Sequence, residues 1–269
     1  MARSAGPAPL RVAVSGARGR AGREIVAALN ADPGFVCAAE IEEGDDIAAA
    51  LRSSSAQALV DFTTPAAGLG NALAATDAGV APVVGTTGLG ESAVARVREA
   101  CAAAGVGGCV AANFSLGAVL LMWLSELASS YFERCEIIEA HHAGKIDAPS
   151  GTALRTAELM LAARDGRRFD HSRAERETLA GTRGGEFGGA AVHSVRLDGV
   201  VADQSVTFAT AGQTLTIEHR TTSRAAFAPG VLLAVRAVLE TGRFFDGLAE
   251  VLRLPANSAI RGLMSSSTA

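Results

Sequence analysis

The residue types best suited to acid–base chemistry are concentrated in one stretch near the middle of the chain, residues 139–153. His141 and His142 are adjacent there, and Lys145 and Asp147 follow shortly after them. An imidazole that titrates near neutral pH is suited to protonate a carbon or an amine. A nearby lysine can hold a carboxylate, or donate a proton if its pKa is lowered. The stretch therefore predicts a site that protonates an anionic substrate.

A turn of small residues follows the histidines and opens a helix that we predict over residues 152–164. Because the first N–H groups of a helix have no partner within it, Ser150, Gly151 and Thr152 are suited to bind a substrate carboxylate. Simple capping of the helix by Ser150 or Thr152 is the alternative, and it is compatible with anion binding. The role of Asp147 stays open between orienting the neighbouring lysine and starting the turn.

Metal binding is disfavoured by the spacing of the possible ligands. Two adjacent histidines on an extended backbone point to opposite sides, so they cannot easily ligate one ion. The H-E-x-x-H spacing is absent, and none of the four cysteines lies near the histidines in sequence. The cysteines are widely spaced without a C-x-x-C pair, which is typical of reduced thiols in a cytoplasmic protein. We therefore expect no metal site.

Composition and charge exclude several classes of protein. The 269 residues are 49% hydrophobic and 19% charged, which is typical of a folded globular protein rather than a disordered one. The formal net charge is −4 and no long run of Lys or Arg occurs, so nucleic acid is not an expected partner. No apolar segment is long enough to span a membrane, and residues 1–9 lack the apolar core of a signal peptide. These features predict a cytoplasmic location without membrane contact.

A glycine-rich turn near the N-terminus has the placement of a dinucleotide-binding unit. An apolar predicted strand, residues 10–15, runs directly into Gly16-Ala-Arg-Gly-Arg-Ala-Gly22 and then into a helical pattern. A second apolar strand, residues 35–41, ends at the acidic Glu42 and Glu43. The glycines permit a tight turn, close approach of the backbone to a pyrophosphate, and close helix–strand contact. A plain glycine-rich connection is the alternative.

Strands and helices continue to alternate after this unit. Predicted strands at residues 58–62, 81–85 and 108–112 are separated by helices at residues 66–78 and 91–104. Each strand ends in small or polar residues, and ligands of a parallel sheet bind at the carboxyl ends of its strands. Three such ends in succession predict the floor of a cofactor site.

The sequence changes character after a long apolar helix that we predict at residues 116–132. Segments of alternating polarity then predict a mostly antiparallel sheet. A glycine-dense tract at residues 181–189 is expected to be a mobile loop. The arm of residues 1–9 and the tail of residues 255–269 are expected to lack regular structure.

These patterns together predict an α/β protein of two domains. Residues 1–115 form a Rossmann domain with a doubly wound parallel sheet, and residues 227–269 complete it. Residues 116–226 form an inserted α+β domain with a mixed, mostly antiparallel sheet, which carries substrate binding.

Six motifs in order along the chain resemble those of the dihydrodipicolinate reductase family, also called the 4-hydroxy-tetrahydrodipicolinate reductases. The most specific is the stretch Glu139-x-His-His-x-x-Lys-x-Asp-Ala-Pro-Ser-Gly-Thr-Ala. The others are Gly16-x-x-Gly-Arg-x-Gly22, Asp61-Phe-Thr, Gly85-Thr-Thr-Gly88, Asn113-Phe-Ser and Arg224-x-x-Phe. The match covers most of the chain, whereas the glycine motif alone adds little.

The resemblance implies a nicotinamide-dependent reductase of the diaminopimelate and lysine pathway. Such an enzyme delivers hydride to ring carbon 4 of a hydroxylated dipicolinate precursor as water is lost. By motif, His141 is implied to be the general acid, and Lys145 to share the catalytic role. The residues implied to hold the carboxylates of this small dicarboxylate substrate are Lys145 itself, His142, Ser150, Gly151 and Thr152.

The resemblance also implies a cofactor site that takes NADH or NADPH. The residues implied for the phosphates are Gly16, Arg18, Gly19, Arg20, Ala21 and Gly22, with Glu42 at the adenosine ribose. Those implied to place the nicotinamide are Gly85, Thr86, Thr87, Ala112, Asn113 and Phe114, and Arg224 is implied to contact the cofactor. One departure matters, because Glu43 stands where some members have an arginine that meets the 2′-phosphate of NADPH. A carboxylate repels that phosphate, so we expect NADH to be used at least as well as NADPH.

The family is typically a homotetramer assembled through the sheet of the second domain, and the resemblance implies the same here. Two alternatives stay open. One is a reductase of another small dicarboxylate or imine, similar to aspartate dehydrogenase, which does not require Lys145 beside the turn. The other is a non-catalytic NAD-binding or redox-sensing protein, which predicts loss of the proton donor.

Overall fold

The computed structural model describes residues 8–171 and 174–258, and its elements follow the predicted order. The elements of the N-terminal part are β1 (Leu10–Ser15), α1 (Arg20–Ala31), β2 (Phe35–Ile41), α2 (Ile47–Ser54), β3 (Ala58–Asp61), α3 (Pro65–Asp77), β4 (Ala81–Val84), α4 (Glu91–Ala104) and β5 (Gly108–Val110). Those that follow are α5 (Leu116–Ser129), β6 (Arg134–His141), α6 (Gly151–Ala163), β7 (Gly185–Phe187), β8 (Ala190–Arg196), β9 (Ala202–Thr210) and β10 (Gln213–Thr221). The last are a 3-10 helix (Arg224–Phe227), α7 (Ala228–Thr241), β11 (Phe244–Asp246) and α8 (Leu248–Val251).

The described chain divides into two compact units. The first comprises residues 8–116 and Arg224–Arg253, and the second comprises Gly117–Ser223 and residues 254–258. The fold class predicted from the sequence is confirmed, because one unit contains a parallel sheet and the other a mixed sheet.

The first unit is built on a six-stranded parallel sheet in the order β11-β5-β4-β3-β1-β2. Every residue of β3 and β4 is buried, which is the pattern of strands covered by helices on both faces. The strand order reverses beside β1, which pairs with β2 on one side and β3 on the other. The register places Ser15 opposite Ile41 and Asp61, so the carboxyl ends of these strands meet at one edge. Ligands of such sheets bind beside this reversal of strand order.

The second unit is built on a five-stranded sheet in the order β10-β9-β6-β8-β7. The pairing of β6 with β8 is parallel, and the other described pairings are antiparallel. Alternate residues of β6 and β9 are buried, as expected of strands with one covered face. That face packs in a core with residues of α5 and α6, formed by Leu121, Cys135, Ile137, Ala153, Ala157, Met160, Phe169, Ala190, Val192, Val206 and Phe208.

The structure differs from the sequence-based expectations in the glycine-dense tract. Part of residues 181–189 forms β7, which pairs with β8 and places Gly185 opposite Val192. A short antiparallel hairpin therefore replaces part of the expected loop. Four short elements of the first unit were not predicted, namely α2, the 3-10 helix, β11 and α8.

The C-terminal residues also group differently from the expected division of domains. The indole Nε1 of Trp123 donates to the carbonyl of Pro255 at 2.9 Å, and Asn257 Nδ2 donates to the carbonyl of Trp123 at 3.1 Å. These bonds tie residues 254–258 to the second unit rather than the first. Residues 224–226 were expected in the second domain, but they belong to the 3-10 helix, which is part of the first unit. The expected N-terminal arm and tail lie mostly outside the described residues.

Candidate active site

The turn between β1 and α1 has a backbone that only glycine can form. Gly16 has a φ of +75°, and a Cβ there would lie 2.8 Å from the carbonyl oxygen of Phe62. A Cβ on Gly22 would lie 2.1 Å from the carbonyl oxygen of Gly16. Gly19 is the N-cap of α1 and has no side chain with which to accept from the first turn. The N–H groups of that turn are therefore suited to bind an anion such as a pyrophosphate.

The acidic residue after β2 lies beside this glycine turn. The backbone N–H of Arg18 donates to Glu42 Oε1 at 2.6 Å. The Glu42 N–H in turn donates to Asp45 Oδ2 at 2.8 Å, which holds the acidic loop in place. The side chain of Glu43 is exposed. The structure thus brings together the predicted phosphate and ribose residues, which are separated by 24 positions in sequence.

Two predicted arginines contribute positive charge to the first unit. Arg224 begins the 3-10 helix. Its pKa is lowered mainly by burial and to a smaller extent by the nearby charge of Arg20. A guanidinium stays charged even so, because its ordinary pKa is far above neutrality. The smaller contribution, that of Arg20, reflects two cations near each other, an arrangement suited to a phosphate-bearing ligand.

A buried carboxylate joins the ends of β3 and β4. Asp61 is 1% exposed and accepts from Thr86 Oγ1 at 2.6 Å, from Asn71 Nδ2 at 2.6 Å and from Thr63 Oγ1 at 3.0 Å. These donors satisfy a charge whose burial is otherwise unfavourable. The hydroxyl of Thr86 is turned inward to Asp61, whereas Thr87 is exposed. Asn71 was not identified from the sequence, because its position within α3 gives no local sign of this contact.

Aromatic rings line the same edge of the parallel sheet. The ring of Phe62 lies over Gly85, where a Cβ would be 2.2 Å from Phe62 Cζ. It also packs against Phe114, with ring centroids 5.9 Å apart. Ala112 is exposed at the end of β5, and Asn113 Oδ1 accepts from the N–H of Ser115 at 2.8 Å. The predicted nicotinamide residues therefore occupy neighbouring strand ends, although Phe114 itself is buried.

In the second unit, strand β6 presents His141 and Glu139 on the same face. The side chain of Glu139 is 0% exposed, and its Oε2 lies 2.5 Å from His141 Nδ1. Arg196 donates to both oxygens of Glu139, at 2.8 Å from Nη2 and 3.0 Å from Nη1. Arg196 lies directly opposite His141 in the pairing of β6 with β8. Residues two apart on a strand share a face, so the three side chains meet.

The protonation equilibria of this cluster follow from burial and charge. Burial raises the pKa of Glu139, but hydrogen bonds from Arg196, Ser194 and His141 outweigh burial and hold that pKa below its ordinary value. Burial lowers the pKa of His141, and the charges of Lys145 and Arg196 lower it further. Glu139 opposes this lowering without overcoming it.

The loop after β6 is organised by the predicted lysine and aspartate. Lys145 Nζ donates to Asp147 Oδ1 at 2.7 Å, and this bond is the main reason that the pKa of Asp147 is lowered. The backbone N–H of Lys145 donates to the carbonyl of His142 at 3.0 Å, which closes a turn. Arg196 Nη2 donates to the carbonyl of Asp147 at 2.6 Å. The side chain of Asp147 thus orients Lys145, the first of its two predicted alternatives.

The start of α6 combines capping with open backbone groups. Ser150 is buried, and its Oγ accepts from the N–H of Ala153 at 3.2 Å, so the capping alternative holds for this residue. Gly151 and Thr152 follow as the first residues of the helix. The first N–H groups of a helix have no acceptor within it, so those of α6 are suited to bind an anion.

Sequence reasoning gave no role to Arg196 or to the carboxylate of Glu139. The alternation of residues 193–197 predicts a strand, but no local signal gives its register against β6.

Across residues 8–171 and 174–258, no three His, Cys, Asp or Glu side chains are grouped to hold a metal ion. Within the same residues, no helix is both long and apolar enough to cross a membrane.

Comparison with known proteins shows the family to which the chain is similar. The model for "Dihydrodipicolinate reductase, N-terminus" matches residues 10–114, and that for the C-terminus matches residues 117–252. The chain is 47% identical to the 4-hydroxy-tetrahydrodipicolinate reductase of Moorella thermoacetica over 265 residues, which covers 91% of this chain and 98% of the relative. It is 42% identical to the enzyme of the same name from Corynebacterium efficiens, covering 91% of this chain and 99% of that protein.

A solved structure has the same fold. The dipicolinate-bound dihydrodipicolinate reductase from Paenisporosarcina sp. TG-14 superposes with a TM-score of 0.79 at 31% identity, covering 90% of this chain and 99% of that one. A probable dehydrogenase from Thermotoga maritima, at 10% identity and a TM-score of 0.57, shares the fold alone. The match covers 90% of this chain and 92% of that chain. The two family models and the curated relatives show that the chain belongs to the dihydrodipicolinate reductase family.

Proposed function

We propose that this protein reduces 4-hydroxy-tetrahydrodipicolinate to tetrahydrodipicolinate, with loss of water, in diaminopimelate and lysine biosynthesis. The observation that carries the proposal is the arrangement in the second unit. There His141 is anchored to a buried carboxylate and is followed by Lys145 and by the open N-terminus of α6. A proton donor, a cation and free N–H groups are what a dianionic ring substrate requires.

The residues of the first unit fit a nicotinamide dinucleotide. The turn formed by Gly16 and Gly22 leaves no room for a Cβ, and the start of α1 offers N–H groups to a pyrophosphate. Glu42 is positioned beside this turn to accept from a ribose hydroxyl. Arg224 and Arg20 add positive charge for the phosphates. When bound, the reduced nicotinamide supplies the hydride that reaches ring carbon 4 of the substrate.

The residues of the second unit bind and protonate the substrate. Lys145, held by Asp147, and the first N–H groups of α6 bind the two carboxylates, with His142 on the same loop. His141 is the general acid, and Nε2 is the nitrogen that donates because Nδ1 faces Glu139. The ion pair of Lys145 with Asp147 is partly exposed, so a carboxylate of the substrate can compete for the lysine.

The acidic side chains after β2 favour the cofactor without a 2′-phosphate. Glu42 lies beside the glycine turn, where we assign the ribose, and the exposed Glu43 adds a second negative charge. We expect kcat/KM with NADH to equal or exceed that with NADPH, although Arg18 and Arg20 offset part of the repulsion. Steady-state rates with each cofactor test this, and a ratio strongly in favour of NADPH contradicts it.

The partners and location are part of the same proposal. We propose a cytoplasmic homotetramer that binds a small dicarboxylate and neither nucleic acid nor membranes. The support is the net charge of −4 and the face of the second sheet that α5 and α6 do not cover. Sedimentation of the purified protein tests the tetramer, and a monomer at micromolar concentration contradicts it.

The direct test couples the product of the preceding synthase to oxidation of NADH. The wild-type protein is expected to turn over, and His141→Gln is expected to lose about 10²–10⁴-fold in kcat. Lys145→Ala is expected to raise KM for the dicarboxylate as well as to lower kcat. A wild-type protein without turnover, or both variants at near-full kcat, overturns the proposal.

A further inference from the structure

The proposed function gives Glu139 no part in binding the substrate, yet its carboxylate makes several close contacts. It is fully buried, it receives two N–H groups from one guanidinium, and it faces a ring nitrogen of His141. A buried carboxylate without a partner takes up a proton rather than staying charged. Arg196 prevents this, because a bidentate guanidinium favours the ionised form.

The backbone fixes this geometry. Glu139 and His141 lie two residues apart on β6, and Arg196 lies opposite His141 on the adjacent strand β8. Both strands are interior to the sheet, and Arg196 is also tied to the loop through the carbonyl of Asp147. The orientation of the imidazole is therefore set by two strands and one loop, before any substrate binds.

We infer that Glu139 and Arg196 are positioning residues for proton donation by His141. Glu139 accepts the Nδ1–H of His141, which fixes the tautomer and the ring orientation and leaves Nε2 as the donating nitrogen. Arg196 keeps Glu139 ionised, and Glu139 does not take up the proton during the reaction. This inference rests on the proposed function, because it assigns His141 the role of general acid.

The charges around His141 explain why this support is needed. Arg196 from β8 and Lys145 from the following loop both disfavour an imidazolium, as does burial, and the pKa of His141 is lowered. Asp147 is occupied with Lys145. Glu139 is the group that opposes these effects. Without its charge, the pKa of His141 is expected to fall further, and the acid form becomes scarcer.

The experiment compares Glu139→Gln, His141→Gln, the double variant and the control Glu136→Gln in the coupled assay across pH. An acid must be protonated to act, so kcat/KM falls as pH rises through the pKa of His141. In Glu139→Gln this fall, the alkaline limb of the pH profile, is expected to move to lower pH by about 1–3 pH units. At pH values above the wild-type limb, kcat/KM is then expected to be at least about tenfold lower than in the wild type. KM for both substrates stays near the wild-type value, because Glu139 touches neither.

The double variant separates positioning from general damage to the fold. If Glu139 acts through His141, adding Glu139→Gln to His141→Gln costs little further kcat. Effects that multiply, or a pH limb that does not move, overturn the inference. Glu136→Gln is expected to keep the alkaline limb at the wild-type pH. If its limb moves as far as that of Glu139→Gln, the inference is also overturned.

A measurement on the free wild-type protein keeps the inference testable on its own. Nitrogen-15 NMR of the neutral His141 ring is expected to show the proton on Nδ1, and a proton on Nε2 overturns the positioning role. If Glu139→Gln does not fold, Arg196→Lys keeps a cation but loses the bidentate contact, and the same limb is expected to move down by a smaller amount. A wild-type protein without turnover overturns the proposed function, whereas the NMR result decides the positioning role separately.

Discussion

The two faces of strand β6 carry the same three residue types with different consequences. On the covered face, Glu139 meets Arg196 and His141. On the opposite face, Glu136 meets Arg183 and His193. The first carboxylate is 0% exposed and the second is 41% exposed. A Glu, an Arg and a His therefore do not define a site by themselves.

Burial and geometry separate the two clusters. Glu139 receives both terminal nitrogens of its arginine and lies 2.5 Å from its histidine, whereas His193 Nε2 lies 3.2 Å from Glu136. Only the covered cluster adjoins the loop of Lys145. Interactions between charges strengthen where water is excluded, so the same residues influence each other more on the covered face.

The largest expected difference between the clusters is in catalysis. His141→Gln is expected to lower kcat by about 10²–10⁴-fold, because it removes the proton donor. The matched change His193→Gln removes an imidazole from the other face of the same sheet and is expected to leave kcat near the wild-type value. Coupled-assay rates at one pH make the comparison, and equal losses in the two variants contradict a special role for the covered face.

The next difference is in stability. Arg196→Met leaves the fully buried carboxylate of Glu139 without its cation, and breaking such a pair costs about 3–5 kcal/mol. Arg183→Met breaks a pair in which both side chains are partly exposed, and a cost of about 0–1 kcal/mol is expected. Urea unfolding of both variants measures the two free energies. A cost for Arg183→Met that matches that of Arg196→Met removes the distinction.

The contrast also shows which features the sequence predicts. The glycine turn after β1 and the runs that form β3 and β4 were predicted correctly, because buried parallel strands are apolar throughout and Gly16 needs a positive φ. The helix α2 was missed, although its N-cap Asp46 accepts from the N–H of Ala49. It has only eight residues, so its apolar periodicity is short.

Contacts between distant residues could not be predicted from the sequence. Arg196 lies 57 positions from Glu139, and Asn71 reaches Asp61 from within a helix. Neither contact follows from local spacing, because each depends on the register of strands or on how a helix packs. The polar residues of the stretch 139–153 were identified from their types. The side chain of Arg196, which contacts Glu139, was identified only from the structure.

The smallest expected difference is in the response to acid. The pKa of Glu139 lies below its ordinary value because hydrogen bonds, led by those from Arg196, outweigh burial. A carboxyl group of this kind contributes stability that is present above its ordinary pKa of about 4.3 and is lost as pH falls through the lower pKa of the folded state. Glu139→Gln is therefore expected to flatten the dependence of the unfolding free energy on pH between these two pKa values. Glu136 has a pKa lowered in the same direction but is partly exposed, so Glu136→Gln is expected to flatten it less. Urea titrations at several acidic pH values decide the order, and a larger change in Glu136→Gln reverses the ranking of the two faces.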